Sequence, residues 1–138
     1  MNLFGKRPKR IIEDHDFGRI EEYKKGQWEG KDFRLWGYAS LHVLIDSDSE
    51  GPLPEQRAFV QALRSEPRQI RERIESAVVE LSKKTSSAKG PLKLTGICLP
   101  RNLQEQKWRV WYDLEGEDII WYGAEILGWE QIIPFAED

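Results

Sequence analysis

Residues 33–45 alternate with a period of two. Phe33, Leu35, Gly37, Ala39, Leu41, Val43 and Ile45 are apolar or small, and Arg34, Trp36, Tyr38, Ser40, His42 and Leu44 stand between them. A helix would scatter the first set around its circumference. The pattern therefore predicts one long strand, with the odd residues toward a core and Trp36, Tyr38 and His42 on the reverse. Gly37 is the place where a bulge or bend is expected. Upstream, residues 17–23 read as a partner strand, joined to the long one through Lys24, Lys25, Gly26 and residues 27–32.

Residues 46–54 end this strand with acids, serines, a glycine and two prolines, all turn formers. Pro54 fits a first helical turn, where its missing N–H costs nothing, and Glu55 suits the positive end of the helix dipole. Phe59, Ala62 and Leu63 then form an apolar stripe. Ser65, Glu66 and Pro67 break this helix and start another, in which Ile70, Ile74, Ala77, Val78 and Leu81 recur at spacings of three and four. Lys83 and Lys84 close it, before the polar run 85–90. Strands return at 92–99 and 107–114. A hairpin turn at 115–118 leads into 119–122, and a last strand at 129–135 carries Pro134 at an edge or end. The order predicts an α+β fold: a mostly antiparallel twisted sheet of about five to seven strands with two consecutive helices packed on one face.

At 138 residues, 39% hydrophobic and 33% charged, the chain has room for one domain, assigned to 16–138, which should bury roughly two-thirds of its unfolded surface. No apolar run approaches a membrane span and the N-terminus lacks a secretory leader pattern, so a cytoplasmic protein is expected. Cys98 is the single cysteine, which excludes an internal disulfide framework and multi-cysteine zinc sites. Residues 1–15 read as a disordered basic tail, with Lys6, Arg7, Lys9 and Arg10 around Pro8 and no acid before Glu13. Setting those four cations aside leaves 17 basic side chains against 24 acidic, a formal charge of about −7 on the body.

Motifs for chemistry are sparse. Residues 46–51 start like a calcium loop, but its twelfth position is Arg57 instead of a bidentate glutamate, and Pro52 and Pro54 stiffen the middle. Cys98 sits among Leu94, Ile97 and Leu99, as a structural thiol would, and neither His15 nor His42 has a recognisable partner. No nucleophile elbow, phosphate loop or dinucleotide fingerprint occurs. The chain is read as a non-enzyme without a cofactor or metal. Its six Trp, four Tyr and five Phe carry the functional reading instead. Trp36, Tyr38 and His42 on the reverse of the long strand, joined by Trp111 and Trp121 from later strands, form the candidate partner-binding face. A basic protein partner suits the acidic body. A small ligand or single-stranded nucleic acid stacking on the same rings is the alternative, with nucleic acid disfavoured by the charge.

The segments Gln27-Trp28-Glu29-Gly30, Ser49-Glu50-Gly51-Pro52 with Gln56 beyond, and Leu127-Gly128-Trp129-Glu130 flank the helix pair. In their order, over about residues 16–135, the chain resembles small bacterial cytosolic α+β domain proteins of uncharacterised role. Some of those look like immunity proteins against polymorphic toxins. The resemblance implies a small cytosolic α+β protein without known catalysis and transfers no functional residues.

Overall fold

The computed structural model describes residues 9–65 and 67–138. The chain forms β1 (Ile11–Asp14), β2 (Gly18–Lys24), β3 (Gln27–Leu35), β4 (Tyr38–Asp46), α1 (Pro54–Ser65), α2 (Pro67–Thr85), β5 (Leu92–Leu99), β6 (Trp108–Leu114), β7 (Trp121–Leu127) and β8 (Gln131–Glu137). One sheet takes all of these strands in chain order. Neighbours are antiparallel except β4 and β5, which run parallel because the helix pair carries the chain back between them. The architecture is α+β, with eight strands where the sequence predicts five to seven. No helix of the described residues is long and apolar enough to cross a membrane.

The helices bury Phe59, Val60 and Leu63 from α1 and Ile70, Ile74 and Val78 from α2. These meet Trp28, Phe33, Val43, Ile45, Ile97, Trp108, Val110, Tyr122 and Ile126 of the sheet in one core. The spacings of three and four on the helices place those side chains on one stripe each, which is why a single sheet face can receive them. Gln56 ties the layers together. Its Oε1 accepts from the Leu53 N–H at 2.8 Å, closing the start of α1, while its Nε2 donates to the Asp46 and Pro100 carbonyls at 2.7 and 2.9 Å.

The long strand predicted over residues 33–45 is corrected to a hairpin. Trp36 and Gly37 both take positive φ, 54° and 87°, as a two-residue turn between β3 and β4 demands. Tryptophan is an unusual occupant of that conformation, so no Asn-Gly or Asp-Gly signal marks the turn. The alternation survives because two bulges correct the register. Leu35 opposes Tyr38, but an extra residue on β4, with Ser40 at φ 60°, brings Leu41 opposite Phe33. A second shift on β3 then sets Gly30 against Val43 and Trp28 against Ile45. Leu41, Val43 and Ile45 are buried as expected, whereas Gly37 and Ala39 are exposed. Residues 27–32, read as a connector, belong to β3.

Part of the segment read as a tail is the edge strand β1. Ile11 pairs with Glu21 and Asp14 with Gly18. The strand is held from outside itself: Asp14 Oδ2 accepts from the Asp16 and Phe17 N–H groups at 2.9 and 3.1 Å, and Asp14 Oδ1 meets Arg57 of α1. Arg10 lies over the Trp28 ring at 5.7 Å and Lys9 pairs with Glu21. Those two cations therefore answer charges and rings of the body. Lys6, Arg7 and Pro8, and Glu66 between the helices, lie outside the described residues.

Candidate functional site

The second face of the sheet carries no covering element among the described residues. Register aligns its side chains into rows across the strands. One row runs Ile11, Glu21, Glu29, Leu44, Cys98, Arg109, Glu125, Ile133, from β1 to β8. Ile11, Leu44 and Ile133 of this row are exposed, Ile133 by 49%. The neighbouring row runs His42, Gly96, Trp111, Gly123, Phe135 from β4 to β8, so ring residues alternate with glycines.

Each glycine has a different consequence. A Cβ on Gly123 would stand 2.4 Å from the Val110 carbonyl oxygen and 2.5 Å from Phe135 Cζ, so Phe135 lies directly on the bare backbone. Trp111 packs edge-on against that ring, with centroids 4.8 Å apart and planes at 76°. Arg109, paired to Glu125 at 2.7 Å, sits 5.9 Å over Phe135. Gly96 is buried too: a Cβ there would stand 3.0 Å from the His42 carbonyl oxygen and 3.3 Å from the His42 Cβ. A recess of about 380 Å³ opens on this face, lined by His42 of β4, Thr95 and Gly96 of β5, Trp111, Tyr112 and Asp113 of β6, and Trp121 of β7. Trp121 is 64% exposed. Asp113 opposes Lys93 across the strands, but no ion pair joins them, and neither Asp113 nor the Trp111 indole N–H has a hydrogen-bond partner among the described residues. On its far side His42 borders a second, charged recess of about 330 Å³, lined by Lys9, Arg19, Glu21, Glu29, Lys31 and Asp32.

The candidate residues thus divide. His42, Trp111 and Trp121 share the open face. Trp36 and Tyr38, expected beside them, belong to the helix side, because the turn and the Ser40 bulge rotate them there. Trp36 donates its indole N–H to the Leu63 carbonyl at 3.1 Å, and the Arg71 guanidinium lies 5.9 Å over Trp36 and 5.7 Å over Tyr38. Arg71 is held in turn by Glu75 at 3.0 Å, whose Oε2 also accepts from the Tyr112 hydroxyl. These rings close the end of the core.

Cys98 opposes Leu44, two positions along the strand from the His42 row, and no hydrogen bond joins it to His42. Burial pushes its thiol up, Arg109 opposes this and Asp46 adds to it. The group stays a thiol at neutral pH and is a poor nucleophile. The acidic turn after β4 is engaged by protein: Asp48 pairs with Arg101 at 2.6 Å, Arg101 also donates to the Ser47 carbonyl, and the Ser47 hydroxyl donates to the Gly51 carbonyl.

Gly96, Gly123 and Phe135 escape a reading of the sequence because their meeting with Trp111 depends on the register of four strands. Asp113 was accessible from sequence, since it shares the alternate set of Trp111. Comparison of the chain with protein-family models, with curated proteins and with solved structures returned no match.

Proposed function

We propose that the protein is a non-catalytic, cytoplasmic interaction module that binds a basic protein on the open face of its sheet. The observation that carries this reading is the ring-and-glycine row, with Trp111 braced on Phe135 and its other side left empty, beside the exposed Leu44, Trp121 and Ile133. Large rings held rigidly in a partly desolvated setting are the side chains that dominate binding energy at interfaces. The acidic surplus of the chain favours association with a basic partner. Immunity to a toxin, the use suggested by the resemblance, fits an acidic protein that must capture a basic one quickly. A small planar ligand is the second reading, favoured by a recess volume within the range of small-molecule sites.

A photo-reactive residue at position 121 or 133, compared with one at Val79 on the outer side of α2, tests the assignment in living cells. The expected result is one basic protein, identified by mass spectrometry, cross-linked from 121 and 133 and not from 79. Its purified form should bind at least about tenfold more weakly to Trp111→Ala. Cross-linking only from 79, or only to a second copy of the chain, would overturn the reading.

A further inference from the structure

The fold repeatedly finishes its rings with arginine. Arg10 lies over Trp28, Arg64 over Phe33, Arg71 over both Trp36 and Tyr38, and Arg109 over Phe135, all between 5.1 and 5.9 Å from the ring centroid. Three of these cations are held by a carboxylate as well, Arg64 by Asp16 at 3.8 Å, Arg71 by Glu75 at 3.0 Å and Arg109 by Glu125 at 2.7 Å. Trp111 and Trp121 have no guanidinium over them among the described residues. Beside them stands Asp113, a carboxylate without an ion pair. Ring, empty space and acid are the same components, with the cation missing.

The space fits that cation. His42 and Trp111 stand on strands separated by β5, so their backbones lie about 9.5 Å apart. Gly96 between them carries no side chain, and Thr95 beside it lines the same recess. A planar group about 3.5 Å thick can enter there in van der Waals contact with the indole. Arginine meets these demands together. Its guanidinium is flat and weakly hydrated, it stacks on a ring face, and its edge donates to a carboxylate. Lysine offers a compact, strongly hydrated charge that cannot stack. A nucleobase is also flat, but it brings a phosphate and no cation to the Asp113 carboxylate, with Glu137 on the same face; Glu125 is already answered by Arg109 and Lys107.

We propose that the slot between His42 and Trp111 takes an arginine side chain of the partner, its guanidinium stacked on Trp111 and paired with Asp113. The proposal rests on the open face being the docking surface and adds what enters it.

The full-length protein, labelled with ¹⁵N, is titrated with N-acetylarginine methylamide, with the lysine counterpart and with uridine monophosphate. The indole N–H signals of Trp111 and Trp121 are followed, each assigned by its Trp→Phe variant. The arginine compound should move both signals with saturation in the millimolar range, and the lysine compound should bind at least about threefold more weakly. Asp113→Asn should weaken arginine binding by a similar factor while its melting temperature stays that of the parent. Equal binding of arginine and lysine, no response to arginine, or a response to the nucleotide alone would overturn the proposal. Partner cross-linking from position 121 without arginine binding would defeat this inference and leave the docking face standing. Arginine binding without cross-linking would overturn the docking face, and with it the partner's arginine as occupant, while showing that the slot itself takes a guanidinium.

Discussion

The two faces of the sheet treat tryptophan in opposite ways. On the helix side Trp28 and Trp108 are fully buried, and their indole N–H groups donate to the Asp48 and Gly128 carbonyls at 2.8 and 2.9 Å. Trp36, at the end of the same core, donates to Leu63. On the open side Trp111 and Trp121 have no acceptor among the described residues. A ring used for stability is buried with its polar handle satisfied, since an unpaired N–H in the core is costly. A ring left with a free handle and a free face contributes less to folding and keeps its interaction capacity for something outside the chain.

Removing one ring from each side separates the two roles most directly. Trp108 packs edge-on against Phe59 at 5.0 Å, so Trp108→Ala should cost about 4 kcal/mol in urea unfolding. Trp111→Ala, on the open face, should cost about 1 kcal/mol. Equal losses would mean that Trp111 is a core residue in solution.

Gln56 holds the covered side together through polar contacts. Gln56→Leu removes three hydrogen bonds from a fully buried side chain and leaves the Asp46 and Pro100 carbonyls without it. A loss of about 3 kcal/mol is expected, read from the same unfolding curves. A neutral result would show that water enters between α1 and the strand ends.

The smallest effect lies in alkaline solution. Burial raises the Tyr112 phenol far above its ordinary value, Glu75 adds to the shift and Arg71 opposes it. In the unfolded chain the phenol loses its proton near pH 10, while the folded protein retains it. The unfolded state then binds fewer protons, so stability falls as pH rises past about 10. Tyr112→Phe should make that fall shallower, as urea midpoints taken at about pH 8 and pH 11 will register. An unchanged slope would place the Tyr112 hydroxyl in water.

The sequence carried local periodicity well and long-range register poorly. The helices beginning at Pro54 and Pro67 and the strand Leu92–Leu99 follow from proline placement and apolar spacing, which act within a few residues. The β3–β4 turn was hidden because Trp36 supplies no turn signal and two bulges preserve the alternation across it. That one hidden turn moved Trp36 and Tyr38 to the helix side. His42, Trp111 and Trp121 kept their place on the open face because alternation within β4, β6 and β7 fixes it. The slot itself required knowing that Gly96 and Gly123 flank Trp111, a fact created only when three strands align.

Trp121 is exposed and Trp111, half-buried against Phe135, keeps an edge open to solvent, while Trp28 and Trp108 are sealed in the core. Incorporation of 5-fluorotryptophan, with each ¹⁹F signal assigned by substitution, measures this through the shift between H₂O and D₂O. Clear solvent shifts are expected for residues 111 and 121 and none for 28 and 108. Protected signals at 111 and 121 would contradict this and mean that another segment or another copy already covers the face.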